Sequence, residues 1–213
     1  MLPLRQELLE TLLKITEEEQ TFLDGKEPPS PSEEARIVTA TSLIKEGKLV
    51  GVVPHARFVR SGAHTHDYIE IVYQYSGSTT HIINGSFLAL KTGEFLLLPA
   101  DSVHEVLPAG VNDIAINFII LPRFFKKTFQ ATGRENNTPL QHFILQIICD
   151  TKSTADFLHF DTTKLSAIPS LIDSILWTHL NYTPQTGEII EKSIELMFLY
   201  LLDFSPPPRF FGR

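Results

Sequence analysis

Residues 64–75 read HTHDYIEIVYQY, and this stretch decides the fold. β-Branched and aromatic side chains dominate its second half, which is typical of a β-strand, and we predict a strand over residues 68–75. A strand turns alternate side chains to one face. His64, His66 and Glu70 occupy even positions, so the pattern predicts that two imidazoles and one carboxylate point the same way.

A second stretch, GEFLLLPADSVH at residues 93–104, brings His104 as a third imidazole from a different strand region. Three imidazoles and a carboxylate suit a divalent transition metal such as Zn, Fe, Mn, Ni or Cu. The sequence therefore predicts a candidate metal site of His64, His66, Glu70 and His104. The alternative is a metal-free, hydrogen-bonded network of the same side chains.

The region around these stretches reads as β-structure. From residue 36 to 121 the hydrophobic period is two and glycines punctuate the chain. Asn84-Gly85 marks the tip of a two-residue hairpin, because these residues tolerate the positive φ angles of a type I′ turn. So many short strands favour a sandwich or barrel. The predicted strands are 37–44, 49–53, 57–60, 68–75, 79–83, 86–90, 94–98, 105–107 and 113–120.

Helical periodicity flanks the β region on both sides. Residues 4–23 predict an amphipathic helix, and the prolines of 25–34 a linker. Thr138-Pro139 predicts a helix start, running to about residue 150. Apolar residues over 171–180 and 189–202 predict an antiparallel helix pair. We therefore divide the chain into an N-terminal helix and linker (1–35), a barrel (36–121), a helical extension (122–204) and a tail (205–213).

The two motifs carry a family resemblance. H-x-H-x3-E at 64–70, followed by G-x5-P-x4-H at 93–104, resembles the paired motifs of the cupin superfamily. The amino-acid sequence of residues 66–73 and 93–105 is more specifically similar to that of the N-terminal sensor domain of AraC-type transcriptional regulators. This resemblance implies a mainly β fold with α: a cupin-type double-stranded β-helix, or RmlC-like jelly roll, with an N-terminal helix and a C-terminal antiparallel helix pair.

The resemblance also implies a function. In that family the barrel binds a small effector, an antiparallel helix pair dimerises, and a separate C-terminal double helix-turn-helix domain binds DNA. The helices over residues 169–204 stand where the dimerising pair is expected. The expected partners are a small-molecule effector and a second copy of the chain, and the N-terminal helix with its linker is a candidate for a movable arm.

Two departures from the family patterns keep other functions open. Enzymatic cupins usually carry glycine in P-x-G-x2-H, whereas this chain has Pro99-Ala100-Asp101-Ser102-Val103-His104. The chain also ends in Pro206–Arg213 without a basic helix-turn-helix, so we expect an excised sensor domain or a one-domain relative. The alternative function is a one-domain, metal-dependent cupin enzyme such as a dioxygenase or isomerase. A third is a dimeric interaction module whose barrel is filled by its own side chains.

Aromatic residues complete the expected effector site. Tyr68, Tyr73 and Phe95, together with Tyr75, are candidates for lining the pocket beside the His/Glu cluster, although aromatic residues in strands are more often ordinary core. Other polar residues are assigned to the surface or to no site. His81 is expected on the hairpin surface and His159 in a segment without ligand spacing, and Arg57 and Arg60 are exposed strand residues unless they reach an anionic effector.

Composition narrows the functional classes. Lys and Arg total 18 against 25 for Asp and Glu, a formal charge of −7 that disfavours direct nucleic-acid binding by this chain. No apolar run reaches the roughly 18 residues that a membrane span needs. Cys149 has no intrachain partner and is expected to be a small buried hydrophobe, so the cytoplasm is the expected compartment.

Overall fold

A computed structural model describes residues 3–26, 36–129, 138–149, 157–204 and 209–210. Its helices are α1 Leu4–Leu12, α2 Glu17–Leu23, α3 Pro122–Phe129, α4 Pro139–Ile148, α5 Ala167–Leu180 and α6 Gly187–Phe204. Its strands are β1 Arg36–Val38, β2 Val50–Pro54, β3 Ser61–His66, β4 Ile69–Ser76, β5 Ser78–Ile83, β6 Ser86–Lys91, β7 Glu94–Leu98, β8 His104–Val106, β9 Ile114–Ile120, β10 Leu158–Asp161 and β11 Arg209–Phe210.

The strands form two facing sheets. One is ordered β1-β3-β8-β5-β6 and the other β11-β10-β7-β4-β9-β2. All pairings are antiparallel except β1 with β3. This is the two-sheet barrel of the cupin fold, and the predicted fold class is confirmed.

Strand β4 is buried on both of its faces. Ile71 and Tyr73 join the main apolar core, which also contains buried residues of α1, α4, α5 and α6. Glu70, Val72 and Gln74 alternate with them and point between the two sheets, where Val72 packs with interior residues of other strands. The six-stranded sheet therefore separates an apolar helical layer from a barrel interior that contains polar groups.

Local sequence signals account for several element boundaries. Asn84 and Gly85 have φ angles of 48° and 81°, as the predicted hairpin between β5 and β6 requires. At the start of α4 the Thr138 hydroxyl accepts a hydrogen bond from the Gln141 backbone N–H, and Pro139 occupies the first turn. Both elements were correctly predicted because the signal lies within a few residues of the boundary.

Other predicted boundaries were wrong. The helix over 4–23 is two helices, because Thr16 and Glu19 form a capping box that starts α2. The strand over 37–44 ends at Val38 and gives way to a 3₁₀ turn. Residues 57–60 form no strand, since Phe58 has a φ of 67°.

The C-terminal part also differs from the prediction. Strand β10 lies within the segment predicted as helical, and it pairs with β7. Cys149 is exposed rather than buried. Most of the predicted linker, residues 27–34, lies outside the described residues, as does the predicted tail except for 209–210, which form β11.

Arg57 joins the two N-terminal helices to the barrel. Its guanidinium donates to both Glu19 carboxylate oxygens, at 2.6 and 2.7 Å. It also donates to the Val111 carbonyl at 2.8 Å and to the Lys14 carbonyl at 3.0 Å. Arg57 is 2% exposed, so the expectation that it is an exposed strand residue was wrong.

The turn between β4 and β5 requires glycine at position 77, which gives a stability prediction. Gly77 has a φ of 68°, and a Cβ there would collide with the Asp113 carboxylate, which accepts from the Ser78 N–H. Gly47 has a similar φ of 75° but open space around it. Gly47→Ala should therefore lower the free energy of unfolding by about 1 kcal/mol, because alanine is strained in the left-handed region. Gly77→Ala should cost about 1–3 kcal/mol more, by overpacking. Urea unfolding compares the two, and equal losses would contradict this account.

Candidate metal and ligand site

Three of the predicted ligands converge between the two sheets. His66 ends β3, Glu70 lies in β4 of the facing sheet, and His104 starts β8. All three are buried, and one ligand atom from each lies within 4.8 Å of the others. The convergence follows from strand pairing, because β3 and β8 are neighbours and alternate residues of β4 face them.

His64 stands beside this group and does not join it. It is opposite His104 in the β3–β8 register, and the two ring centroids are 4.1 Å apart. The group within mutual ligand distance in the described part of the chain contains His66, Glu70 and His104 only. His64 therefore flanks the cluster through its contact with His104.

Backbone carbonyls fix the tautomers of two histidines. His66 Nδ1 lies 2.6 Å from the Tyr68 carbonyl, and His64 Nδ1 lies 2.8 Å from the Gly62 carbonyl. A carbonyl only accepts, so both Nδ1 atoms carry the proton. In the neutral ring Nε2 is then the lone-pair atom, the form in which imidazole binds a metal. Such hydrogen bonds are the usual support of a metal-ligating histidine.

The electrostatics leave negative charge at the cluster. Burial raises the pKa of the Glu70 carboxyl, but the contact with His104 and the proximity of His66 and His64 outweigh it and lower the pKa to about 2. Burial lowers the pKa of the His66 imidazole, and nearby Glu70 offsets only part of this effect. At neutral pH an ionised carboxylate thus faces a neutral imidazole.

This arrangement fits a cation. Glu70 Oε2 lies 3.1 Å from His104 Nε2 and 3.7 Å from His66 Nε2. Glu70 Oε2 and His66 Nε2 are both buried, with no hydrogen-bond partner in the described structure. Two lone-pair atoms that face each other without a proton are costly to bury, and a bound metal ion would satisfy both. Two imidazoles and one carboxylate are a donor set that Zn, Fe, Mn, Ni or Cu accepts.

Of the aromatic residues predicted to line the pocket, one lies near the cluster. Tyr68 is buried and stacks on His66, with ring centroids 4.5 Å apart. Tyr73, Tyr75 and Phe95 belong to the core against the helices, on the opposite face of the sheet. The prediction that they line the pocket was therefore wrong. Alternate residues of β4 face opposite sides of the sheet, and Tyr73 and Tyr75 lie on the side opposite to Glu70. Phe95 pairs with Tyr73 across the sheet and shares its face.

Two further histidines line the barrel interior. His81 is 2% exposed and lies between the sheets, so its expected surface position was wrong. His55 follows β2, and its Nε2 atom is buried. Both rings lie close enough to Glu70 and His104 to influence each other's protonation. Period-two alternation over 79–83 was the available signal for His81, since it shares parity with Ile83; no sequence signal pointed to His55.

His159 is also buried, and it lies in a strand rather than in the expected helical or loop segment. It lies in β10, and its Nε2 atom is 3.1 Å from the Glu94 carboxylate. Glu94 also accepts from the Lys91 backbone N–H. This pair sits where β7 meets β10, and it is not a member of the His66/Glu70/His104 group.

A groove of about 590 Å³ lies outside the barrel, next to α3 and α6. Cations and carboxylates alternate along its walls, and Lys127 and Glu191 form an ion pair across it at 3.6 Å. Such a mixed lining favours no charge class of ligand. The histidine cluster, with its uniform set of donor atoms, is the chemically distinctive site.

The fold and the cluster define a cupin-type protein with a polar, histidine-rich barrel. Residues 48–148 match the family model of the AraC-like ligand binding domain, and the predicted resemblance is confirmed. No curated protein matches the sequence. Among the described residues no helix has the length and apolar character that crossing a membrane requires.

Solved structures with a similar fold include apo ToxT from Vibrio cholerae, with a TM-score of 0.49 and 14% identity over 71% of this chain and 53% of that one. ToxT with an unsaturated fatty acid bound has a TM-score of 0.46 and 12% identity, over 70% and 51%. KdgF from Halomonas sp. has a TM-score of 0.33 and 16% identity, over 37% and 74%. The chain thus spans about half the length of ToxT.

Proposed function

We propose that this chain is the effector-sensing and dimerising part of an AraC-type transcriptional regulator. The match of residues 48–148 to the AraC-like ligand binding domain carries the proposal. A small molecule binds in the barrel and shifts the population of domain arrangements, which changes how attached DNA-binding domains are presented. With a formal charge of −7, this chain leaves DNA contact to another part of the regulator. The cytoplasm is its proposed compartment.

The proposal requires a small-molecule ligand. Thermal unfolding of the full chain against a library of metabolites tests it, because any molecule that binds only the folded state raises the midpoint of unfolding. The expected result is a concentration-dependent stabilisation by one chemical class. No stabilisation by any class, combined with a monomer in sedimentation, would refute the sensor function.

The proposed dimer surface is the outer side of α5 and α6. Their inner sides are buried in the main core. Their outer sides expose large apolar residues that nothing in the described chain covers: Trp177, Leu180, Ile189, Leu196 and Phe204. Contiguous exposed apolar surface marks interaction sites, and a two-fold interface buries the same patch on both copies.

A charge placed in this surface should disrupt the dimer. Leu196 is 42% exposed in the middle of α6, and we expect Leu196→Glu to weaken self-association at least about tenfold, because a desolvated, unpaired carboxylate opposes burial. Sedimentation equilibrium measures the effect. Phe87→Glu is the matched control: Phe87 is 73% exposed on β6, away from both helices, and should leave the dimer intact. A monomeric wild type, or equal effects of the two variants, would contradict this surface.

A metal-dependent cupin enzyme is the second candidate function. The observation that favours it is the pair of buried, unpartnered atoms at His66 Nε2 and Glu70 Oε2. A bound metal would supply a Lewis acid with an open position for substrate. Stoichiometric metal in the purified protein, together with a turnover that His66→Ala abolishes, would favour the enzyme. If the protein bound metal but showed no turnover, the regulator function would be better supported than the enzyme function.

A further inference from the structure

The polar lining of the barrel extends beyond the metal cluster to His81. This residue lies in the middle of β5, and Thr79, His81 and Ile83 alternate toward the interior. The cluster residues His104 and Glu70 are close enough to His81 to influence its protonation. Its interior-facing neighbours along β5 are polar Thr79 and apolar Ile83, and Leu88 lies directly opposite it on β6. His81 therefore has both polar and apolar neighbours inside the barrel.

A chain of hydrogen bonds fixes which nitrogen of His81 carries the proton. The Gln74 amide NH₂ donates to the Ser76 carbonyl at 2.8 Å and to the Ile114 carbonyl at 3.3 Å, so the Gln74 Oε1 atom must be an acceptor. The Thr79 hydroxyl donates its only proton to that oxygen at 2.6 Å. The remaining contact, 3.0 Å between Thr79 Oγ1 and His81 Nε2, then requires that His81 Nε2 donates.

His81 Nδ1 is consequently a bare acceptor. This atom is buried, and no donor among the described residues reaches it. Burial lowers the pKa of His81 to about 3, with His55 and His104 adding to the effect, so the ring does not gain a second proton at neutral pH. A buried acceptor without a donor is costly, so this atom calls for a partner that the protein itself does not supply.

Other interior atoms have the same need. Asn117 Oδ1 is buried without a partner in the described structure, and the ionised Glu70 Oε2 has His104 Nε2 at 3.1 Å as its nearest donor. Asn117 alternates in β9 with core residues of the other face, and it lies opposite Val72, an interior residue of β4. His81 Nδ1, Asn117 Oδ1 and the Glu70 carboxylate are thus three acceptors in the barrel lining.

We propose that the barrel binds a neutral small molecule rich in hydroxyl or amide N–H groups, and that His81 Nδ1 accepts a hydrogen bond from it. The inference rests on the proposed sensing function and specifies the chemical class of the effector. Without a metal ion in place the Glu70 carboxylate would repel an anionic molecule, and a purely apolar molecule would leave the buried acceptors unpaired. A molecule with several hydrogen-bond donors can donate to His81 and also to Asn117 and Glu70, which line the same barrel interior.

Two substitutions separate the acceptor role of His81 from its structural role. In His81→Gln the amide nitrogen reaches the position of Nε2 and can still donate to Thr79, but the acceptor at Nδ1 is lost. In His81→Asn the amide oxygen falls near Nδ1 and retains an acceptor, while the contact with Thr79 is lost. Calorimetric titration of the full chain with a panel of sugars, alditols and neutral amides, set against carboxylates and fatty acids of similar size, gives the affinities.

We expect a member of the hydroxyl or amide group to bind, His81→Gln to weaken it about tenfold or more, and His81→Asn to retain most of the affinity, because an unpaired buried partner is the main loss. Imidazole ¹⁵N spectra should show His81 as the Nε2–H tautomer, with the Nδ1 resonance shifting when the ligand binds. Tight binding of a carboxylate or fatty acid that His81→Gln leaves unchanged would overturn this inference while sustaining the sensing function. An Nδ1–H tautomer, or no binding by any hydroxyl or amide probe, would also overturn it.

Discussion

Replacing Arg57 by alanine is expected to lower the free energy of unfolding by about 3–5 kcal/mol, the usual cost of breaking a buried ion pair by removing one partner. The Glu19 carboxylate would remain at 5% exposure without its guanidinium. The carbonyls of Lys14 and Val111 would lose their donor in the same step. Urea unfolding followed by circular dichroism measures the loss.

Arg60→Ala is the matched control for this prediction. Arg60 also pairs with a glutamate, Glu105 at 2.7 Å, but its side chain is 57% exposed. Exposed pairs contribute about 0–1 kcal/mol, so this variant should unfold close to the wild type. Similar losses for the two variants would show that Arg57 does not join the helices to the barrel in solution.

The Arg57 contact bears on the expectation of a movable N-terminal arm. Burial raises the pKa of the Glu19 carboxyl, but its hydrogen bonds from Arg57 and Thr16 outweigh this and lower the pKa below the ordinary value. The carboxylate stays ionised at neutral pH and the pair stays intact. Any rearrangement of α1 and α2 in response to an effector would first have to break this pair. A movable arm therefore remains a prediction that the packing of these two helices opposes.

Sequence reasoning could place His66 and Glu70 together because these residues are close in sequence. His66 and Glu70 are four residues apart, whereas His104 reaches them through the pairing of β8 with β3 and β5. Alternation within single strands then predicted which side chains share a face. These are short-range signals, and each depends on a turn or a period that the residues themselves set.

The missed features depend on tertiary partners. Glu19 lies 38 positions before Arg57, and nothing in either segment marks the pair. Strand β10 exists because β7 supplies its hydrogen bonds. His81 was assigned to the surface because polar residues alternating with apolar ones usually face water, whereas here the polar face lines the barrel. Tyr73 was misplaced for a related reason. Both faces of β4 are buried, so the hydrophobic pattern of this strand does not show which face lines the barrel interior.

Zn²⁺ and Ni²⁺ are expected to bind the full chain with one ion per protein, and His66→Ala is expected to weaken that binding by more than about 100-fold. Loss of a mere supporting partner of a metal ligand already costs about 10–100-fold, and His66 would be a ligand itself. Isothermal titration of protein stripped with a chelator measures both affinities. Burial lowers the pKa of the His66 imidazole below its ordinary value of 6.5, so the ring stays neutral at pH 6.5. The wild-type affinity for the metal should therefore be maintained down to pH 6.5 and fall in more acidic solution, where the imidazole gains a proton.

His142→Ala separates this site from adventitious binding by a surface histidine. His142 is exposed on α4, outside the barrel, and should be replaceable without loss of affinity. If His66→Ala and His142→Ala bound the ions equally, or if the wild type bound none, the carboxylate–imidazole contacts would be a metal-free network. In that case His104 Nε2, which lies 3.1 Å from Glu70 Oε2, would be the nearest donor to the carboxylate, and water or the effector itself would satisfy the remaining buried acceptors.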